Sequence, residues 1–121
     1  FSLGKTIITP LPVPHGNSET YGYLFARQGV KLLAYLSDCS AVPDEIAQQI
    51  KDVQLLVIDA LREKPHPTHL SIDQALEVAQ RVRPARTLFT HICHELAQSA
   101  ESQLPPDVGL AYDGLKLPLS A

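Results

Sequence analysis

A short run near the middle of the chain, Val53–Asp59 (VQLLVID), is almost continuously apolar. A strand with one wet face alternates between apolar and polar residues, whereas a strand covered on both faces has no need to. The run therefore predicts a central strand that is buried on both faces. Such a strand requires other elements to be layered against it.

Two helical segments flank this strand in the sequence. The first, Pro43–Lys51, opens with a proline and two acidic residues, which suit the positive end of a helix dipole. The second, Ser71–Val82, opens with an S-x-x-Q capping box formed by Ser71 and Gln74 and carries one apolar stripe. Helices on either side of a buried strand predict a layered α/β fold.

Further strands are predicted before and after these helices. Lys5–Val13 and Tyr21–Arg27 are rich in β-branched and aromatic residues, and Gln28-Gly29 is a tight turn into the next strand, Val30–Leu36. Prolines at 10, 12 and 14 remove ladder donors, so the first strand is expected at a sheet edge or to end early. The remaining predicted elements are a strand, a helix and a hairpin: Thr87–Thr90, Glu95–Gln103, Gly109–Tyr112 and Leu115–Leu117.

Histidines and one aspartate stand where several of the apolar runs end. His15 and Asp38 each close a run, His91 follows Thr87–Thr90, and His69 lies in the loop after the central strand. A side chain just past a buried strand reaches the sheet rim, where open α/β sheets keep their sites. Imidazole and carboxylate groups are ligands that hard and borderline cations prefer. The pattern therefore predicts part of a metal site.

Each of these residues also has a plainer interpretation. His15, in a loop of proline and glycine, is typical of a surface residue, and Asp38 suits an N-cap or Asx turn before the first helix. Two histidine pairs at i, i+3 spacing would equally suit solvated loops: His66 with His69, and His91 with His94. Taken together, the set favours the metal site.

Composition narrows the classes of partner. The net charge is −3 and the densest cationic segment, Arg81–Arg86, coincides with a predicted helix end, so we expect no long nucleic-acid partner. No apolar run approaches the ~20 residues of a membrane span, so we expect no membrane partner.

The two cysteines, Cys39 and Cys93, lack a C-x-x-C motif. We interpret them as small residues beside the site, and we expect a reducing, cytoplasmic compartment.

The order of the motifs resembles that of one known superfamily. The segments follow the order found in the metallo-β-lactamase superfamily: TPLPVPHG with His15, YLSDCS with Asp38, PTHLSIDQAL with His69, FTHICHEL with His91, and the closing AYDGLKL. The resemblance extends over nearly the whole chain, from about Lys5 to Leu117. Within the superfamily, the chain looks most like the branch containing phosphoribosyl cyclic phosphodiesterase, an enzyme of carbon–phosphorus lyase pathways.

This resemblance implies a fold, a site and an activity. The fold is an α/β, four-layer αββα sandwich with a two-metal site on its rim. His15, Asp38 and His91 match metal ligands, with Asp38 as the bridging carboxylate, and His69 matches the histidine that protonates the leaving group. The implied cofactors are two divalent metal ions, zinc or manganese. The implied reaction is hydrolysis of a small phosphodiester, such as a cyclic ribose phosphate, by a metal-bound hydroxide.

One part of the family pattern is absent. The sequence has no H-x-H-x-D-H cluster, which supplies the family's first ligands, and it contains no methionine. We therefore expect residues 1–121 to be the C-terminal half of a single metallo-hydrolase domain, inactive alone. The N-terminal half of the same fold or a homo-oligomer partner would complete it. The alternatives are hydrolysis of another ester (a thioester, a lactone or an RNA end) and an inactive fragment that lacks the first metal-ligand cluster.

Overall fold

The computed structural model describes residues 2–36, 39–60, 70–90, 105 and 107–110. Within these residues the chain forms one seven-stranded sheet and two helices. In chain order the elements are β1 (Ser2–Leu3), β2 (Thr6–His15), β3 (Ser18–Arg27), β4 (Val30–Leu36), α1 (Asp44–Gln49), β5 (Leu55–Asp59), α2 (Ile72–Val82), β6 (Arg86–Thr90) and β7 (Val108–Leu110). The predicted helix Glu95–Gln103 and the predicted strand Leu115–Leu117 lie outside the described residues.

The strands follow one another across the sheet in sequence order. The first four strands pair antiparallel, and β4 to β7 pair in parallel. Because β2 and β4 both oppose β3, β2 also runs in the direction of the parallel strands. The carboxyl ends of β2, β4, β5 and β6 therefore point toward one edge of the sheet, which we call the carboxyl edge.

Local sequence signals determine where α2 begins. The Gln74 backbone N–H donates to Ser71 Oγ at 3.2 Å, and the Ser71 backbone N–H donates to Gln74 Oε1 at 2.8 Å. The predicted capping box is thus confirmed. The other predicted helix is confirmed with shorter bounds, since Pro43 is its N-cap and Gln49 its last residue. Neither helix, nor any other helix among the described residues, is long and apolar enough to span a membrane.

Both helices pack on one face of the sheet. Ile46 and Ala47 of α1 share a buried core with Ala75, Val78 and Val82 of α2. The strand residues of this core alternate along the sheet: Leu11, Val13, Leu24, Ala34, Leu36, Leu56, Ile58 and Phe89. The central strand predicted from the apolar run is confirmed as β5, which begins at Leu55 and lies between β4 and β6. The predicted burial on both faces is not confirmed, because the helices cover one face only and Val57 on the opposite face is partly exposed.

The opposite face of the sheet, which we call the second face, is also apolar. Residues that stand opposite one another across the strands form a row on this face: Pro10, Tyr23, Tyr35, Val57 and Leu88. A neighbouring row contains Ile8, Phe25, Leu33 and Leu55. Tyr35 is 41% exposed and Tyr21, on the same face, is 55% exposed. Both described helices lie on the other face, so these tyrosines form an apolar surface that neither helix covers.

The β2–β3 hairpin continues beyond the end of β4. The β3–β4 ladder stops at Tyr23, whereas the β2–β3 ladder runs on to the pair His15 and Ser18. Along β2, β1 opposes only residues 6 and 7. The rest of β2 is therefore an edge strand among the described residues, as its prolines predicted, and it does not end early. Pro10, Pro12 and Pro14 are two residues apart, so their backbone nitrogens, which carry no hydrogen, all face the same side of β2. Because the ladder with β3 is unbroken, that side faces away from β3.

Gly22 allows β3 to pass close to the end of β4. A Cβ atom on this buried glycine would lie 2.5 Å from the Tyr35 carbonyl oxygen and would also overlap the Leu36 side chain. Both contacts are closer than a side chain tolerates. The contact with the Tyr35 carbonyl oxygen involves backbone, which cannot move aside by a change of rotamer. Gly22 thus permits β3 to pass close to the end of β4. Residues 11–22 form the two-stranded part of the β2–β3 hairpin beyond this point, which we call the distal hairpin.

We predict that Gly22→Ala lowers the free energy of unfolding by about 1–3 kcal/mol, the usual cost of overpacking. Gly109→Ala is the matched control, because its Cβ would meet only Leu88 Cδ2 at an ordinary 3.5 Å. Denaturant unfolding of both variants measures the difference. Equal midpoints for the two variants would show that the approach at Gly22 is not tight.

Candidate metal centre

His15 is the last residue of β2 and stands at the tip of the distal hairpin. Gly16 follows it with a φ of 62°, a left-handed conformation that favours glycine and allows the chain to reverse. On the far side of the turn, Ser18 Oγ donates to the His15 carbonyl oxygen at 2.9 Å. The histidine is partly exposed. Its backbone is therefore fixed within the turn at the carboxyl edge.

Ser40, which follows β4, bonds to the backbone on both sides of His15. The Ser40 backbone N–H donates to the Pro14 carbonyl oxygen at 2.8 Å, and Ser40 Oγ donates to the same oxygen at 3.3 Å. The Gly16 backbone N–H donates to Ser40 Oγ at 3.2 Å. Next to it, Cys39 is fully buried, as expected for a small structural cysteine. The segment after β4 is thus attached to the turn that carries His15.

The ends of the parallel strands are aligned along the same edge. Leu36 at the end of β4 stands opposite Ile58, and Asp59 at the end of β5 stands opposite Thr90. The Ala60 backbone N–H donates to the Thr90 carbonyl oxygen at 3.0 Å, which continues this alignment past the end of β5. The chain therefore leaves β4, β5 and β6 from neighbouring points on the carboxyl edge.

Of the predicted site residues, only His15 belongs to the part of the chain that the structure describes. The others lie outside it: Asp38, His69 and His91, together with His66, Cys93 and His94. In sequence, Asp38 comes two residues after β4 ends, His91 comes directly after β6, and His69 precedes the residues that lead into α2. Within the described ranges, no group of three or more His, Cys, Asp or Glu residues is placed to hold a metal ion. The ligand set therefore stays a prediction.

Ser40 is the residue that the sequence alone did not single out. Its hydrogen-bond partners lie 24 and 26 residues earlier in the chain, so no local pattern reveals them. A serine shortly after a strand more often bonds to its immediate neighbours in a turn. Only the tertiary structure shows the bonds from Ser40 to Pro14 and Gly16.

The chain is similar to several solved metallo-β-lactamase-fold proteins. A new diphosphatase of the PhnP family is 41% identical with a TM-score of 0.88, over 97% of this chain and 44% of that protein. The short form of human tRNase Z is 18% identical with a TM-score of 0.79, over 100% and 46%. Zn²⁺-bound PqqB from Methylobacterium extorquens is 18% identical with a TM-score of 0.75, over 97% and 52%. The chain thus spans about half of each.

A relative found by sequence is an octanoyltransferase of Porphyromonas gingivalis. It is 29% identical over 119 residues, which are 96% of this chain but 23% of that protein. The similarity therefore concerns less than a quarter of the octanoyltransferase. The family model described as a beta-lactamase superfamily domain matches residues 1–92 of this chain. The predicted fold is confirmed, and the chain belongs to the beta-lactamase superfamily.

Proposed function

We propose that the protein containing this chain is a metal-dependent hydrolase of a small phosphodiester, such as a cyclic ribose phosphate. The observation that carries the proposal is the similarity to a PhnP-family diphosphatase, at 41% identity over 97% of this chain. The other solved structures described above are less than 25% identical and support the fold alone. The net charge of −3 favours a small substrate over a long nucleic acid.

The chemistry of the proposed ligands fits divalent cations. His15 and His91 would supply imidazole nitrogen and Asp38 carboxylate oxygen, the donors that zinc and manganese accept. The described strand ends support the assignment, because the chain positions next to each ligand lie along one edge. Zinc is bound to PqqB, which shares the fold. We therefore propose two divalent ions, zinc or manganese, as cofactors.

Each proposed residue has a distinct task in hydrolysis. When bound, divalent cations supply Lewis acidity that activates water and offsets the charge of a phosphodiester. Asp38 would supply the carboxylate that the two ions share, and His15 and His91 would each supply an imidazole ligand. His69 would donate a proton to the departing ester oxygen, since an imidazole titrates near neutral pH.

Other esters are the competing substrates, because one fold hosts many chemistries. A thioester, a lactone or an RNA end would use the same metal site with a different leaving group. A panel of cyclic nucleotides, thioesters and lactones, assayed with added manganese or zinc, separates these substrates. Turnover of a cyclic phosphodiester well above the other esters supports the proposal, and selective thioester or lactone cleavage overturns it.

We also propose that a second sheet of the same fold covers the second face. The chain spans 44% and 46% of two solved proteins of this fold, which leaves about half of such a fold to other residues. A face with partly exposed tyrosines is what a sheet-on-sheet contact buries. By this proposal residues 1–121 alone are inactive. If purified residues 1–121 were monomeric and fully active, this proposal would be contradicted.

Tyr35→Thr tests whether the second face is covered in the whole protein. Threonine keeps a high strand propensity but lacks the aromatic area, so a covered site loses roughly 2 kcal/mol of stability. Ser18→Thr at the exposed hairpin tip is the control and should change stability by less than about 0.5 kcal/mol. Denaturant unfolding measures both. A neutral Tyr35→Thr would mean that the second face is open to water.

His15→Ala tests the metal site at its described residue. Loss of one imidazole donor should reduce the affinity for zinc or manganese by at least tenfold, because removing even an outer partner of a ligand costs that much. Isothermal titration of the metal-free protein and metal content after gel filtration provide the measurement. Unchanged affinity in a folded variant would remove His15 from the ligand set.

His69→Ala should cripple turnover while leaving the bound metal nearly unchanged. General-acid catalysis contributes about 10²–10⁴-fold in rate, and we expect a loss of that size in kcat. His66→Ala, three residues earlier in the sequence, is the matched control and should retain kcat. Loss of metal in the His69 variant would make this residue a ligand instead of a proton donor.

A further inference from the structure

The distal part of the β2–β3 hairpin needs support that the sheet does not give it. On the N-terminal side of Tyr23, β3 pairs with β2 alone among the described residues, from Leu11 opposite Gly22 to His15 opposite Ser18. A two-stranded ribbon is marginally stable in water without further packing. Val13, opposite Thr20, packs this ribbon into the buried core. His15 lies two residues further along, at the tip, so its position relative to the parallel strands also depends on what holds the tip.

Ser40 provides that anchor through three hydrogen bonds. Its backbone N–H and its Oγ both donate to the Pro14 carbonyl oxygen, at 2.8 and 3.3 Å, and its Oγ accepts from the Gly16 N–H at 3.2 Å. A serine hydroxyl can donate one bond and accept others, so one side chain satisfies both backbone groups. The residues immediately before and after His15 are thereby fixed to a segment that continues from β4.

The same anchor lies beside the other side of the proposed site. Ser40 follows Asp38 by two residues, and Cys39 between them is fully buried with its Sγ donating to the Leu36 carbonyl oxygen at 3.7 Å. The backbone is thus fixed on the C-terminal side of the proposed bridging carboxylate by the same residue that fixes the turn of His15.

We propose that Ser40 is a positioning residue, which sets the distance between the His15 turn and the segment after β4 so that both can serve one metal centre. The inference rests on the proposed function, because it requires His15 and Asp38 to be ligands. Ser40 would hold the ligands in place before the metal binds, which lowers the entropic cost of ordering them on binding.

Ser18 is a natural control for this role. Like Ser40, it uses its hydroxyl on the backbone of the same turn, donating to the His15 carbonyl oxygen at 2.9 Å. That bond is exposed and joins residues three apart, so it stabilises the turn between β2 and β3 but does not connect the turn to the segment after β4. Removing the Ser18 hydroxyl should therefore leave the position of the turn relative to β4 unchanged.

The test compares metal affinity across matched variants of the whole protein. Ser40→Thr retains the hydroxyl, and Ser40→Val has nearly the shape of threonine without the hydroxyl. Ser40→Ala removes both hydroxyl bonds and adds no bulk. Each metal-free variant is titrated with Zn²⁺ and with Mn²⁺ by calorimetry, and its thermal unfolding is recorded without metal. Ser18→Ala is treated in the same way.

We expect Ser40→Ala and Ser40→Val to bind metal about 10–100-fold more weakly, and Ser40→Thr and Ser18→Ala to stay within about threefold of the unsubstituted protein. A lower unfolding temperature with unchanged affinity in the Ala and Val variants would show a structural role only and overturn the inference, leaving the proposed function intact. Absence of metal binding by the unsubstituted protein would overturn both.

Discussion

The parallel alignment of β4, β5 and β6 is the constraint on which the rest of this structure depends. α1 and α2 bury one face of these strands, and fully buried residues such as Leu56, Ile58 and Phe89 leave little freedom for the strands to slide. Because the strands are in register, the chain leaves all three at one edge. Residues that are far apart in sequence can therefore serve one site.

Much of this arrangement could be predicted because its causes are local. The capping box of Ser71 and Gln74 sets the start of α2 within four residues of sequence. The hairpin at Gln28 and Gly29 follows from two consecutive residues with positive φ, 52° and 78°, which the right-handed twist of the flanking strands requires. The apolar residues Leu56 and Ile58 of β5 reflect burial under the helices, whereas Val57 lies on the second face, which neither helix covers.

The rest depends on contacts between distant segments, which no local pattern encodes. The prolines of β2 identified an edge strand but left open whether it ended early, and only the unbroken ladder to Ser18 shows that it continues. The close contact of Gly22 with Tyr35 and Leu36 joins residues of neighbouring strands, and the bonds of Ser40 join it to Pro14 and Gly16, which lie more than twenty residues earlier. A glycine or a serine alone gives no sign of either contact. The order of the histidine motifs indicated the family, but not how the His15 turn is held.

The central claim is that imidazoles and a carboxylate from separate strand ends converge on one cation pocket. A crystal structure of the whole protein soaked in Mn²⁺ or Zn²⁺, with anomalous data at the metal edge, tests it directly. The account predicts donor atoms of His15, Asp38 and His91 at about 2.0–2.2 Å from cations that lie about 3.5–4 Å apart. Anomalous peaks away from His15, with its imidazole outside the coordination sphere, would contradict it.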